Sequence, residues 1–311
     1  MLFLPLVLAA AFSQQKVIFD TDIADDIDDA YALGLLLQIP NVKLLGVTTP
    51  FGDTVGRAKV AAKFLSAFGR SDVPVFSGRS SSVPHREQFA WATNYSGKSL
   101  KTEPAIEFMK REIDRAPNQI TIIAVGPLTN IGDLITKYPE VKSKIQRVVI
   151  MGGSFYVGYN NQPPINAEWN IRCDPSAARA LFHSGISVVC AGLEVTTMMQ
   201  FDLERQHKLT AYNTKGIRAI NELKQLWGAD GTPTLFDPVA VAWATGFKFG
   251  REESVHLDVD DQGVTGITEG TPKVSILVEP KKEEFLLWYG AMFAPKNSSE
   301  YRKAVLYRNA N

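Results

Sequence analysis

Short β-branched runs alternate with helical stretches along almost the whole chain, and that alternation leaves few folds open. KVIFD (16–20), VKLLGVTT (42–49), QITIIAVG (119–126), RVVIMGG (147–153) and SVVCAGLEV (187–195) are apolar on consecutive positions, without a polar face. Strands of that kind are covered on both sides, as in parallel sheets flanked by helices. The segments between them predict helices over about 28–38 and 54–68, which supply the crossovers that parallel pairing requires. PKVSILVE and EEFLLWYGAMFA read as a further strand and a closing helix. The expected fold is therefore α/β, an open and mostly parallel sheet flanked by helices. With 311 residues and 45% hydrophobic content the chain can bury one large core, so a single domain is expected over 16–311.

The first fifteen residues, MLFLPLVLAAAFSQQ, form an apolar run ending in small residues and read as a signal peptide, which implies export. No Lys or Arg precedes the run, so a plain hydrophobic extension is the alternative, with a cytoplasmic protein as its consequence. No other stretch reaches the roughly 18 apolar residues of a membrane span. The 33 basic residues equal the 33 acidic ones, and no basic block is present. This argues against a nucleic-acid polymer as partner and toward a small molecule. Cys173 and Cys190 are too few for a disulfide framework or a zinc site and read as core thiols.

Against that neutral balance, FDTDIADDIDDAYAL (19–33) crowds aspartates at 20, 22, 25, 26, 28 and 29 just after the first strand. A helix dipole favours one or two such carboxylates by about 0.3–1 kcal/mol each, not six. Packed carboxylates suit a hard divalent cation with about six to eight oxygen ligands, Ca²⁺ before Zn²⁺. The spacing is not that of an EF-hand, because Tyr31 stands where its bidentate Glu belongs. Ligands of open parallel sheets bind beyond the C-terminal strand edge, where this segment lies. Long loops gather there too, at 77–102 and before Phe236.

The motifs DTDIADDIDDAYAL, VTTPFGDT, VGPLTNIG, VVIMGG, NAEWNIRCDPSAA and FDPVAVA occur in this order, and the chain from about Lys16 to its final helix resembles the inosine-uridine-preferring nucleoside hydrolases. The first loop is two residues longer than the DPGxDD form common in that family. The resemblance implies Ca²⁺-dependent hydrolysis of the N-glycosidic bond of ribonucleosides, and a homodimer or homotetramer. It implies a metal held by Asp22, Asp29, the Val125 carbonyl and Asp237, with Asp22 also taking the proton from water. Asp28, Glu168 and Asn170 match ribose contacts, with Asn166 a neighbouring candidate, and Asp53 matches a position near the site. Met151 and Phe236 are placed as substrate contacts, core packing being the plain alternative for each. Phe236 stands where well-known members carry a leaving-group histidine, and His85 lies in the corresponding long loop.

Asp237-Pro238 and Asp174-Pro175 also look like helix caps with Pro at the first helical position. The cap is the favoured reading for Asp174 and the metal for Asp237. Two other functions compete. A haloacid-dehalogenase-type phosphatase would use FDTDIA as its nucleophile loop, but Ala24 stands where that loop needs Thr or Val. A nucleoside-binding or ribosyl-binding protein with weakened catalysis would fit Phe236, while the retained Asp22 and Asp29 argue against it.

Overall fold

A computed structural model describes residues 14–82, 87–228 and 230–310. Nine strands form one sheet: β1 (Gln15–Asp20), β2 (Val42–Thr49), β3 (Val75–Ser77), β4 (Ile120–Ala124), β5 (Arg147–Met151), β6 (Val188–Ala191), β7 (Arg251–Val259), β8 (Thr265–Ile267) and β9 (Lys273–Val278). Their spatial order is β3-β2-β1-β4-β5-β6-β9-β7-β8. The pairs from β3 through β9 are parallel, and β7 joins β9 and β8 antiparallel. This is the expected open, mostly parallel sheet.

Alternate residues of the same strands feed two cores. Val17, Phe19, Ile123, Val149 and Val189 face one, and Ile18, Ile122, Val148, Val188 and Ile276 face the other. The consecutive apolar runs are thereby explained, since both faces are dry. The helices in chain order are α1 (Asp28–Gln38), α2 (Thr54–Ala67), α3 (Ala105–Arg115), α4 (Thr129–Lys137), α5 (Trp169–Cys173), α6 (Pro175–Phe182), α7 (Leu193–Thr196), α8 (Leu203–Ala211), α9 (Lys215–Gly228), α10 (Phe236–Ala244), α11 (Lys282–Ala291) and α12 (Ser299–Ala310). Buried residues of α1, α2, α9, α10 and α11 line the first core, and those of α3, α4 and α6 the second.

The chain steps outward from β1 to β2 and β3, then returns to place β4 on the other side of β1. Such a reversal opens a crevice beyond the carboxyl ends of the two central strands. The Asp-rich loop leaves β1 at that crevice, and Val125 follows β4 into it.

The structure differs from the sequence reading at several places. The run SVVCAGLEV stops as a strand at Ala191, because Gly192 opens α7 and Leu193 bonds back to the Gly153 carbonyl at 2.9 Å. The helix over 282–291 is not the last, since α12 follows it. The sequence reading contains no strand at β3, β7 or β8. The signal for β7 is the alternation of Val255, Leu257 and Val259, which are buried, with charged or polar neighbours. The Asp174 cap is present, with its carboxylate accepting from the Ala177 N–H at 3.1 Å. Asp237 is no cap: Leu235 holds that position, and Asp237 lies buried inside the first turn of α10.

Candidate active site

The first turn of α1 brings Asp28 and Asp29 to the crevice, and the first turn of α10 brings Asp237 against them. α10 packs on α1 as well as on the sheet, so two sequence-distant helix starts converge. Asp28, Asp29 and Asp237 are all buried and each offers a carboxylate oxygen within 4.8 Å of the others. Asp22 lines the same cleft, just after β1. Gly126 allows its approach, because a Cβ there would sit 2.7 Å from Asp22 Oδ1.

Burial is the first reason these groups resist ionisation. It pushes Asp22 up to about 7, partly countered by the Arg57 guanidinium and reinforced by Asp25. Asp28, Asp29 and Asp237 are driven well above the usual carboxylate range, by burial and then by one another's charge and that of their acidic neighbours. Few internal donors relieve them: the Thr21 hydroxyl bonds to Asp29, and the Asp237 N–H to Asp28 Oδ2 at 3.3 Å. An all-oxygen donor set of buried, mutually repelling carboxylates fits a hard divalent cation, which would restore their ionised forms.

Arg57 is buried at 2% exposure although it sits on a helix, and its reach explains why. Its Nε donates to the Phe51 carbonyl at 2.9 Å, and Nη1 to the carbonyls of Asp22 and Ile23. Its Nη2 lies 4.0 Å from Asp22 Oδ2 and 3.8 Å from Asp25 Oδ2. The arginine thus ties the Asp-rich loop to α2. Gln88 ties it from the other side, donating to the Asp25 and Asp26 carbonyls at 3.2 Å each.

Glu168 caps α5, accepting from the N–H groups of Asn170, Ile171 and Gly153 at 3.0–3.2 Å, and still lines the cleft. Burial raises its pKa, and those three donors oppose the rise. The Asn170 amide donates to the carbonyls of Val125 at 2.9 Å and Met151 at 3.1 Å. Its amide hydrogens are thereby committed to the floor of the cleft. Phe236, Tyr159, Trp169 and Trp227 contribute aromatic surface to the walls, and the volume of the open cleft is about 380 Å³, within the range of small-molecule sites.

The chain matches the model of the inosine-uridine preferring nucleoside hydrolase family over residues 17–286. It belongs to that family. As a member it is a hydrolase acting on N-glycosyl bonds. Among its relatives, the pyrimidine-specific ribonucleoside hydrolase RihA of Citrobacter koseri is 34% identical over 251 residues, 73% of this chain and 78% of that protein. The protein of the same name from Escherichia coli O17:K52:H18 is 30% identical over 293 residues, 83% of this chain and 92% of that one. In fold, the hydrolase resembles a plant nucleoside hydrolase, PpNRh1, with a TM-score of 0.81 at 23% identity over 91% of this chain and all of that one. An inosine-uridine preferring nucleoside hydrolase from Bacillus anthracis gives a TM-score of 0.75 at 20% identity, covering 90% of this chain and 99% of that one.

In this nucleoside hydrolase the cleft gathers Asp22, Asp28, Asp29, Val125, Met151, Glu168, Asn170, Phe236 and Asp237 from the residues singled out in the sequence. Asp28, expected as a ribose contact, falls within the close carboxylate trio. Asp53 and Asn166 stand outside the cleft lining. Asp53 caps α2, accepting from the Gly56 N–H at 2.9 Å, and Asn166 is exposed, accepting from the Tyr159 N–H at 2.9 Å. His85 lies outside the described residues.

Sequence reasoning passed over Arg57, Gln88, Tyr159 and Glu194. A lone arginine on an otherwise apolar helical face was the available signal for Arg57. Glu194, read as part of a strand, receives the N–H groups of Phe155, Tyr156 and Val157 at 2.6, 2.6 and 3.3 Å on one carboxylate oxygen. It anchors the loop that leads to Glu168, and no local pattern announces that.

Proposed function

We propose that the protein hydrolyses ribonucleosides with a Ca²⁺ held by Asp22, Asp29, Asp237 and the Val125 carbonyl, Asp28 standing within reach of the same ion. The observation that carries this reading is the buried trio Asp28, Asp29 and Asp237, brought within 4.8 Å at the strand edge of a cleft large enough for a nucleoside. A bound Ca²⁺ would supply Lewis acidity toward water and coordination positions for vicinal hydroxyls. Asp22 accepts the proton of the attacking water at its carboxylate. Glu168 and Asn170 hold the ribose, Asn170 through its amide oxygen because its amide hydrogens bond the cleft floor. Holding sugar and water together removes much of the entropic barrier to an oxocarbenium-like transition state. Phe236 offers the leaving base a ring face rather than a proton.

Asp22→Asn tests the assignment. The amide retains an oxygen for the metal but cannot take the proton, so turnover should fall by about 10²–10⁴ while ribose affinity is largely kept. A variant as active as the parent removes Asp22 from the mechanism. The same reading includes export through residues 1–15 and a homodimer or homotetramer, supported by the apolar composition of that segment and by the family resemblance. N-terminal sequencing of the mature protein and sedimentation of the purified protein check these two.

A further inference from the structure

Four aromatic side chains and a set of carboxylates share the walls of one cleft, and among the described residues its lining contains no Lys, Arg or His. Phe236 is half-buried at the start of α10, and the Tyr159 ring stands edge-on to it, with centroids 6.4 Å apart at 75°. Trp227 adds a further ring face, Trp169 already carries the Arg172 guanidinium 4.9 Å from its ring centroid, and Glu87 is exposed at the rim beside Gln88. Deeper in, Asp22, Asp28, Asp29, Asp237 and Glu168 would, when ionised, set five negative charges against Arg57, Arg172 and the one divalent cation the site would hold, so negative charge still exceeds positive. Aromatic faces backed by carboxylates attract flat organic cations.

Proton supply points the same way. Phe236 carries no transferable proton, and the Gln88 amide is engaged with the Asp25 and Asp26 carbonyls. Indole N–H groups donate hydrogen bonds without acting as acids. The Tyr159 hydroxyl accepts from the Trp169 backbone N–H at 2.8 Å, and burial together with the Glu168 charge makes its proton harder to release. The described walls therefore favour a leaving group that needs no protonation.

We infer that the preferred substrates are cationic N-ribosides, in which the heterocycle bonded to C1′ already bears the positive charge, such as a pyridinium riboside or an N7-alkylated purine nucleoside. This inference rests on the ribosyl hydrolase reading above. When the C1′–N bond breaks, its electron pair passes to the ring nitrogen and neutralises the heterocycle. Water oxygen bonds to C1′, and the proton of that water goes to Asp22. Charge and atoms balance with no acid.

The test uses full-length protein with Ca²⁺ and four substrates: nicotinamide riboside, uridine, inosine and nitrophenyl riboside. It adds two inhibitors of the same ring, 1-methylnicotinamide (cationic) and nicotinamide (neutral). We expect kcat/KM for nicotinamide riboside to exceed that for uridine and inosine by about 10-fold or more. We expect 1-methylnicotinamide to inhibit about 10-fold more tightly than nicotinamide, within the usual span of cation–π recognition. Phe236→Leu should bring the two inhibition constants together. Cleavage of nitrophenyl riboside with neutral nucleosides and neutral inhibitor favoured, or with no preference, overturns the cationic specificity and leaves the hydrolase reading standing. Failure to cleave any of the four substrates overturns both.

Discussion

The backbone N–H of Asp237 donates to Asp28 Oδ2 at 3.3 Å, joining two helix starts 209 residues apart in the chain. That bond places one carboxylate beneath the other's peptide and sets both into the repelling trio with Asp29. Asp237→Asn keeps the backbone donor and removes one charge. The metal-free protein should therefore melt higher than the parent. Ca²⁺ affinity should fall by about 10²-fold or more, beyond the roughly 10–100-fold loss typical of a supporting group. Calorimetric Ca²⁺ titration and thermal melts in chelator check both arms, and an unchanged affinity would exclude Asp237 as a ligand.

The acid-held carboxylates predict an unusual pH dependence. Asp20, buried and bonded by Thr48 and Asn130, and Asp22 are both raised from 3.8 to about 7. In the folded state they keep protons that the unfolded chain has already released. Their contribution to stability is complete below about pH 4 and is lost as pH rises through about 7. Chelated protein should lose melting temperature across that window. Ca²⁺ binding should strengthen over the same window, since metal and proton compete for the same oxygens. A chelated protein whose stability rises steadily from pH 4 to 7 would contradict the burial argument.

Ala24, in the Asp-rich loop, is buried with φ at +86°, a conformation that strains any side chain. Replacing it by Gly relieves about 1–2 kcal/mol of strain. The same change loses about 0.8 kcal/mol of methyl burial and adds a comparable entropy to the unfolded chain. These nearly cancel, so Ala24→Gly should shift the melting temperature little. Ala24→Val meets both the strain of a β-branched residue at positive φ and overpacking, and should cost about 2 kcal/mol or more. Melting curves of the two variants side by side decide the point.

Glu194 gathers three successive N–H groups of the loop after β5. Glu194→Ala orphans them and should cost about 1.5–3 kcal/mol, with the nucleoside KM rising as the path to Tyr159 and Glu168 loosens. Glu194→Gln leaves an oxygen in the nest and should recover most of the KM. Equal KM values in parent and Glu194→Ala would make the contact purely a matter of stability.

The chain's own pattern determined the strands with two apolar faces, the helices between them and the carboxylates at the end of β1. These rest on local periodicity and on residue chemistry, which neighbours in sequence express without help. The motif order also made the family legible, and with it Asp22, Asp29, Glu168, Asn170 and Asp237 as cleft residues. Tertiary structure alone decided the strand order that opens the crevice beside β1 and β4, and the antiparallel addition of β7 and β8 at one edge. It alone seated Asp28 with Asp29 and Asp237, turned Arg57 inward under the Asp-rich loop, and kept Asp53 and Asn166 out of the cleft. The physical reason is that a buried charge, or a contact across 209 residues, is stabilised only once the packed surroundings exist to exclude water and supply the partner.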